Sequence, residues 1–229
     1  MMVLRRKLME NRQIFSHIDH TLLKAISTWQ DIQKLCFEAI KYQTASVCVP
    51  PSYIARIHET YGDKINICTV IGFPLGYNTT ETKVAEAKQA IADGANEVDM
   101  VVNLGDVKNG NFDKVTAEIS ALKKTIGSKI LKVIIETCYL TQEEKIALCD
   151  CVTKGGADYI KTSTGFGSGG ATEADILLFK KHIGKNVKIK AAGGVKTKPD
   201  LEMFLNAGCE RIGTSSAISI LSKGEADAY

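Results

Sequence analysis

The feature that most constrains this chain is an alternation. Eight short runs rich in apolar and β-branched residues recur along it: 16–21 (SHIDHT), 44–49 (TASVCV), 65–71 (INICTVI), 97–102 (EVDMVV), 131–136 (LKVIIE), 158–162 (DYIKT), 187–192 (VKIKAA) and 210–214 (ERIGT). Between them lie stretches whose apolar residues repeat at three- and four-residue intervals, the helical period. Ile32, Leu35, Cys36, Ala39 and Ile40 mark such a face over 29–42, with Ser27 or Thr28 placed to cap it. Thr141 and Glu144 form a capping-box pattern for a helix over 141–154, and Pro199 suits the first turn of another over 199–206. Three helix exits, DGANEVDM, GGADYIKT and AGCERIGT, share one form. In each, a glycine (Gly94, Gly156, Gly208) is expected in the left-handed conformation that turns the chain back into a sheet.

Eight strands alternating with helices predict a closed parallel sheet. The expected architecture is α/β: a single-domain TIM (β/α)8 barrel over 1–229, with a short N-terminal helix from MMVLRRKLMENRQ covering one end. An open doubly wound sheet is the alternative, but no G-x-G-x-x-G follows the first strand. A 45% apolar and 24% charged composition is that of an ordinary globular domain. The net charge of +3 is too small to argue for a nucleic acid or a membrane surface as partner. No apolar run approaches a membrane span, and the basic start lacks the apolar stretch of a secretory signal. Seven cysteines, mostly in apolar contexts, fit reduced thiols in the cytoplasm better than a disulfide framework. Cys149 and Cys151 make one C-x-C pair with no second pair at metal-site spacing, so no metal is expected there.

Two lysines break the apolar pattern where a strand should enter a core: Lys161 in DYIKTSTGF and Lys190 in KIKAAGGV. Each stands at the carboxyl end of a predicted strand, where barrels place their chemistry, and each precedes a glycine-rich loop. Strand alternation puts Tyr159 with Lys161, Lys188 with Lys190, and Glu97 with Asp99 on common faces. With Lys161, Lys190 and Asp99 all turned inward, two amines converge on one carboxylate. A buried ammonium beside a second cation is disfavoured, which frees an amine to attack a carbonyl. The protonated imine so formed is an electron sink that permits cleavage of a neighbouring C–C bond, with Asp99 accepting and returning protons.

Glycines and hydroxyls follow the last strands. Gly193 and Gly194 in AAGGVKT, with Gly213, Ser215 and Ser216 in IGTSSA, could present backbone N–H groups and hydroxyls to an anion. Tight turns with serine caps would use the same residue types. The TSTGFGSGGAT stretch, with Thr164 and Gly165, is a third contributor or a lid.

At these residues the chain resembles the deoxyribose-phosphate aldolase family, through IDHTLLK, ASVCV, VIGFPLG, EVDMVVN, LKVIIET, YIKTSTGFG, IKAAGGVKT and RIGTSSA. The resemblance spans nearly the whole chain and implies a barrel enzyme working without metal or cofactor. The implied reaction is reversible cleavage of 2-deoxy-D-ribose 5-phosphate into acetaldehyde and D-glyceraldehyde 3-phosphate. By motif it implies Lys161 as the Schiff-base lysine, Lys190 as its pKa-lowering neighbour and Asp99 as the proton-relay carboxylate. It implies further that Asp19 positions a substrate hydroxyl, that Cys48 lines the pocket, and that Gly193, Gly194, Ser215 and Ser216 bind phosphate. The chain departs from the family where KAIST lacks a proline, where Phe166 replaces a lysine of some members, and where Lys196 replaces an arginine of many. Tyr229 corresponds to a terminal tyrosine that reaches the site in some members.

A homodimer or homotetramer is the expected range of assembly, although nothing in the sequence marks a self-complementary patch. The alternatives are a sugar-phosphate isomerase or other lyase needing no imine, a metal-dependent aldolase, and a non-catalytic barrel that binds a phosphate metabolite. The four scattered histidines speak against the metal-dependent enzyme.

Overall fold

The computed structural model describes residues 9–222. Its strands are β1 (Ile18–Thr21), β2 (Ser46–Val49), β3 (Ile67–Ile71), β4 (Glu97–Val101), β5 (Ile130–Ile134), β6 (Tyr159–Lys161), β7 (Lys188–Ala192) and β8 (Arg211–Thr214). Each pairs in parallel with the next, and β8 closes on β1. The expected barrel is therefore the observed one, and closure overturns the open sheet. Seven of the predicted runs contain their strands, trimmed by a residue or two where the ends pass into turns; the run 131–136 is displaced, since β5 begins one residue earlier, at Ile130.

The helices begin where side chains can satisfy their first amides. Trp29–Tyr42 is capped by Thr28: its hydroxyl accepts from the Asp31 amide, and the Asp31 carboxylate accepts from the Thr28 amide. Ser27 is not the cap; its hydroxyl donates to the Lys24 carbonyl at 2.8 Å. Thr141 and Glu144 form the expected box ahead of Gln142–Lys154, and Thr197 with Asp200 does the same for Lys198–Ala207. Gly94, Gly156 and Gly208 take φ of 108°, 76° and 119° at the predicted helix exits. Ile40 departs from expectation: it points away from the inner face of its helix and is exposed. Of the basic N-terminal stretch, residues 1–8 lie outside the described residues. The short helix there, Asn11–Phe15, buries Ile14 and Phe15 just before β1.

The core lies outside the barrel wall. Outward strand residues such as Val98, Met100, Val133, Ile160, Ile189 and Ile212 pack on helix residues including Ile119, Leu148, Phe179 and Phe204. Full burial of each such side chain is worth about 1.5–3 kcal/mol. Inward residues obey the opposite rule. Asp19, Ser46, Glu97, Asp99, Lys132, Lys161 and Lys190 are polar and buried, which removes charge from water and demands close pairing. That demand shapes the site.

Candidate active site

Lys161 ends β6 and Lys190 lies in the neighbouring β7, in register with it. Their Nζ atoms are each 2.7 Å from the same oxygen, Asp99 Oδ2, which arrives from β4. The three residues singled out from sequence thus meet inside the barrel, and neither amine turns out to bulk water. The two lysines are not equivalent. Lys190 is fully buried and makes a second ion pair with Asp19 Oδ2 at 2.5 Å. Burial opposes its charge, but Asp19 and Asp99 outweigh that cost and raise its pKa above the ordinary lysine value. Among the described residues Lys161 has one ion pair, and it is 3% exposed, at the wall of an open cavity. A lasting cation therefore stands beside an amine that substrate can reach.

Beneath this pair lies a network that sequence reasoning missed. Lys132, from β5, is fully buried with its Nζ 2.6 Å from Glu97 Oε2 and 2.8 Å from Asp99 Oδ1. Despite burial, Asp99, Cys68, Asp19 and Glu97 raise its pKa well above normal. Arg211, at the start of β8, forks onto Glu97 with N–O distances of 3.1 and 3.0 Å, and its Nη1 is 2.5 Å from Asp19 Oδ1. Burial would raise the pKa of Asp99, but Lys132, Lys161 and Lys190 together hold it well below the carboxylate range. Four cations (Lys132, Lys161, Lys190, Arg211) face three carboxylates (Asp19, Glu97, Asp99) in this network. The signal was available in strand parity: Lys132 lies opposite both Asp99 and Tyr159 in the ladder.

Asp19 and Cys48 sit lower than their expected roles require. Asp19 is fully buried, committed to Lys190 and Arg211 and accepting from the Ser46 hydroxyl at 2.8 Å. Cys48 packs in a small buried cluster with Cys68 and Val70. Neither lines the cavity above the amines.

That cavity holds about 440 Å³ at the carboxyl ends of the strands. The remaining predicted positions, Thr164, Gly165, Gly193, Gly194, Gly213, Ser215 and Ser216, all line it. Gly193 and Gly194 both take φ of 78°, a conformation that places glycine there for backbone reasons. A Cβ on Gly170 would come within 2.5 Å of the Gly193 carbonyl carbon, so the loops after β6 and β7 interlock. The Ser216 amide is not free for an anion, since it donates to Thr214 Oγ1 at 3.1 Å. Phe166 lies on the cavity wall, edge-on to Phe73 at 5.3 Å between ring centroids. Lys196 is absent from that wall and borders a separate hollow. A larger adjoining hollow of about 630 Å³ shares Thr21, Leu22, Lys24 and Ser215 but contains neither catalytic candidate amine. Tyr229 lies outside the described residues.

Two buried groups have metal-ligand atoms close together: Cys48 with Cys68 and Asp99, and Asp19 with Cys68 and Glu97. Their carboxylate oxygens already face Lys132, Lys161, Lys190 and Arg211, so a metal ion would meet a surplus of positive charge. No described helix is long and apolar enough to cross a membrane.

Known proteins agree with this architecture. A curated deoxyribose-phosphate aldolase of Clostridium botulinum (strain Alaska E43 / Type E3) is 68% identical over 221 residues, covering 96% of this chain and all of that one. A second, of Clostridioides difficile (strain 630), is 59% identical over 218 residues, covering 95% of this chain and all of that one. The solved tetrameric deoxyribose phosphate aldolase of Aeropyrum pernix superposes with a TM-score of 0.87 at 30% identity, covering 94% of this chain and 92% of its own. The model of the DeoC/LacD family of aldolases matches residues 13–219, and with paired lysines on one carboxylate at the mouth of an eight-stranded barrel, this chain belongs to that family.

Proposed function

We propose that this enzyme reversibly cleaves 2-deoxy-D-ribose 5-phosphate into acetaldehyde and D-glyceraldehyde 3-phosphate, through an imine on Lys161. The observation that carries the proposal is the shared oxygen: Lys161 and Lys190 each lie 2.7 Å from Asp99 Oδ2. The Lys161 amine adds to the C1 aldehyde of the open-chain sugar, and loss of water gives the protonated imine. The C2–C3 electron pair then moves into the iminium. The C3 hydroxyl gives up its proton as its oxygen becomes the carbonyl of glyceraldehyde 3-phosphate. The enamine left on Lys161 takes a proton at C2, and water releases acetaldehyde and restores the amine. Asp99 passes the protons, through a water where it does not reach the reacting atom directly.

Lys190 has a different part. As a permanent cation it disfavours a second ammonium beside it, and the surplus of one positive charge in the network acts in the same direction. Gly193, Gly194, Gly213, Thr164, Gly165, Ser215 and Ser216 form the phosphate end of the cavity, with Lys24 the other lysine on its wall. Asp19 and Cys48 support the site from below, Asp19 by holding Lys190. The cycle is proposed without metal or cofactor, so turnover is expected to survive EDTA. We read residues 1–229 as one cytoplasmic barrel domain that assembles as a homodimer or homotetramer, with a sugar phosphate as its ligand and neither nucleic acid nor membrane as a partner.

Acetaldehyde followed by borohydride is expected to leave an N-ethyl group on Lys161, located by peptide mass spectrometry. Lys161→Arg should keep the fold, lose the adduct and lose turnover. An unmodified Lys161 peptide from an active preparation would refute the imine and favour a lyase or isomerase of another mechanism.

A further inference from the structure

Glu136 follows β5 in IIETCY, and three observations set it apart. Its side chain is buried, at 3% exposure. Its backbone is left-handed, with φ 54° and ψ 67°, a conformation a residue with a Cβ seldom adopts without tertiary restraint. Among the described residues, no ion pair is formed by its carboxylate. A buried carboxylate without a cation must be satisfied by hydrogen bonds or pay heavily in desolvation.

The hydrogen bonds come from Thr164, with a long one from the Cys138 thiol to Oε1 at 3.9 Å. The Thr164 amide donates to both carboxylate oxygens at 3.2 Å, and the Thr164 hydroxyl donates a very short bond to Oε2. The same hydroxyl oxygen accepts from the Phe166 amide at 3.0 Å. Nearby, the Ile135 amide donates to the Lys161 carbonyl, and the Thr137 amide to the Thr162 carbonyl. A Cβ on Gly167 would lie 3.0 Å from Glu136 Cδ, so the loop after Lys161 passes directly over the carboxylate. The amides of Thr164 and Phe166 are thus committed within the loop, and Thr164, Gly165 (φ 86°) and Phe166 together line the cavity.

We infer that Glu136 is a positioning residue for substrate: by gripping Thr164 it holds Gly165 and Phe166 against the end of the cavity that receives the phosphate-bearing half. Glu136 is not on the cavity wall, and Lys161 Nζ pairs with Asp99 instead. Its effect falls on recognition of the acceptor half, while imine formation with a two-carbon aldehyde proceeds without it. The inference rests on the proposed cleavage reaction and deepens it.

The test compares Glu136→Ala and Glu136→Gln with the unaltered protein in three measurements: KM and kcat for 2-deoxyribose 5-phosphate, borohydride trapping of acetaldehyde on Lys161, and hydrogen exchange of the peptide covering 162–167. Removing hydrogen bonds to a charged group is expected to raise KM about tenfold or more in Glu136→Ala. Trapping should persist, kcat should stay within about threefold, and exchange protection should fall over 162–167 alone. Glu136→Gln keeps the same Cβ and one acceptor for the Thr164 amide, and should recover most of the loss in KM. An unchanged KM in Glu136→Ala overturns the inference, as does a loss of protection spread over all strands. If Glu136→Ala does not fold, Glu136→Gln decides: a smaller KM rise with intact trapping supports the inference, and unchanged KM and protection overturn it. If the unaltered protein neither cleaves nor traps, the functional proposal fails, and exchange over 162–167 still judges whether Glu136 positions the loop.

Discussion

Two lysines on one carboxylate oxygen would be redundant if both did the same thing. Their surroundings differ: Lys190 is clamped between two acids, whereas Lys161 has one and faces the cavity. Lys132 makes the arrangement hold, because it neutralises the side of Asp99 that the two active-site amines do not reach. Lys132→Met would leave the inner oxygen of Asp99 without its cation, and Glu97 with Arg211 alone, in a buried interior. Breaking a buried pair from one side costs about 3–5 kcal/mol, a large share of an ordinary domain's stability. Urea unfolding at neutral pH should show a loss of that size, with slope m unchanged; a loss of only a few tenths would mean that water or a rearranged Arg211 replaces the lysine.

At the scale of strands and loops, the glycines set how closely charged side chains approach. Gly213 lies in the middle of β8, and a Cβ built on it would sit 3.1 Å from Lys190 Cε. Gly213→Ala should therefore displace Lys190 by a few tenths of an ångström without breaking the ladder. A displacement of about 1 Å in a catalytic group can cost on the order of 10²-fold, so a drop in kcat of about tenfold is expected with little change in melting temperature. Steady-state kinetics beside a thermal melt would check this, and an unchanged kcat would show that the lysine stem has slack. The strands themselves were legible because most of their outward residues are apolar, with His20, Thr69 and Thr214 as polar exceptions, and the helix starts because Thr28, Thr141 and Thr197 are capping residues in the literal hydrogen-bonding sense. Lys161 and Lys190 could be read because a lysine directly before a glycine-rich loop is out of place in a strand. Lys132 and Arg211 lack that flag: Lys132 stands mid-strand between Leu131 and Val133, Arg211 opens its strand after Glu210, and only the ladder register brings them to Asp99 and Glu97. Glu136 was hidden for a different reason, since neither a left-handed backbone nor a grip on Thr164 leaves a mark in local sequence.

For the whole molecule, the barrel is an apolar shell around an ionic interior, and that interior should govern stability against pH. Asp19 and Asp99 are fully buried; burial alone would raise their pKa values, but Lys190 and Lys132 around the first and Lys132, Lys161 and Lys190 around the second depress them. For acids with depressed folded pKa values, the stabilisation is complete above the unfolded value of about 3.9 and is lost as pH falls toward the folded values. Lys132 and Lys190 have raised folded values, so their contribution is complete below about 10.4 and disappears only on further rise through those values. The two conditions overlap in a stability plateau between about pH 5 and 10. Below it, each carboxylate protonated only on unfolding adds up to about 1.4 kcal/mol of lost stability per pH unit, so two together steepen the acid limb to nearly 3 kcal/mol per unit. Urea unfolding measured at pH 7, 5, 4 and 3 should trace that fall, and Asp99→Asn should start from a lower plateau and descend less steeply. A stability that stayed level down to pH 3 would mean that water or relaxation in the barrel relieves the buried charges, and that the ion pairs beneath Lys161 are not what holds its surroundings in place.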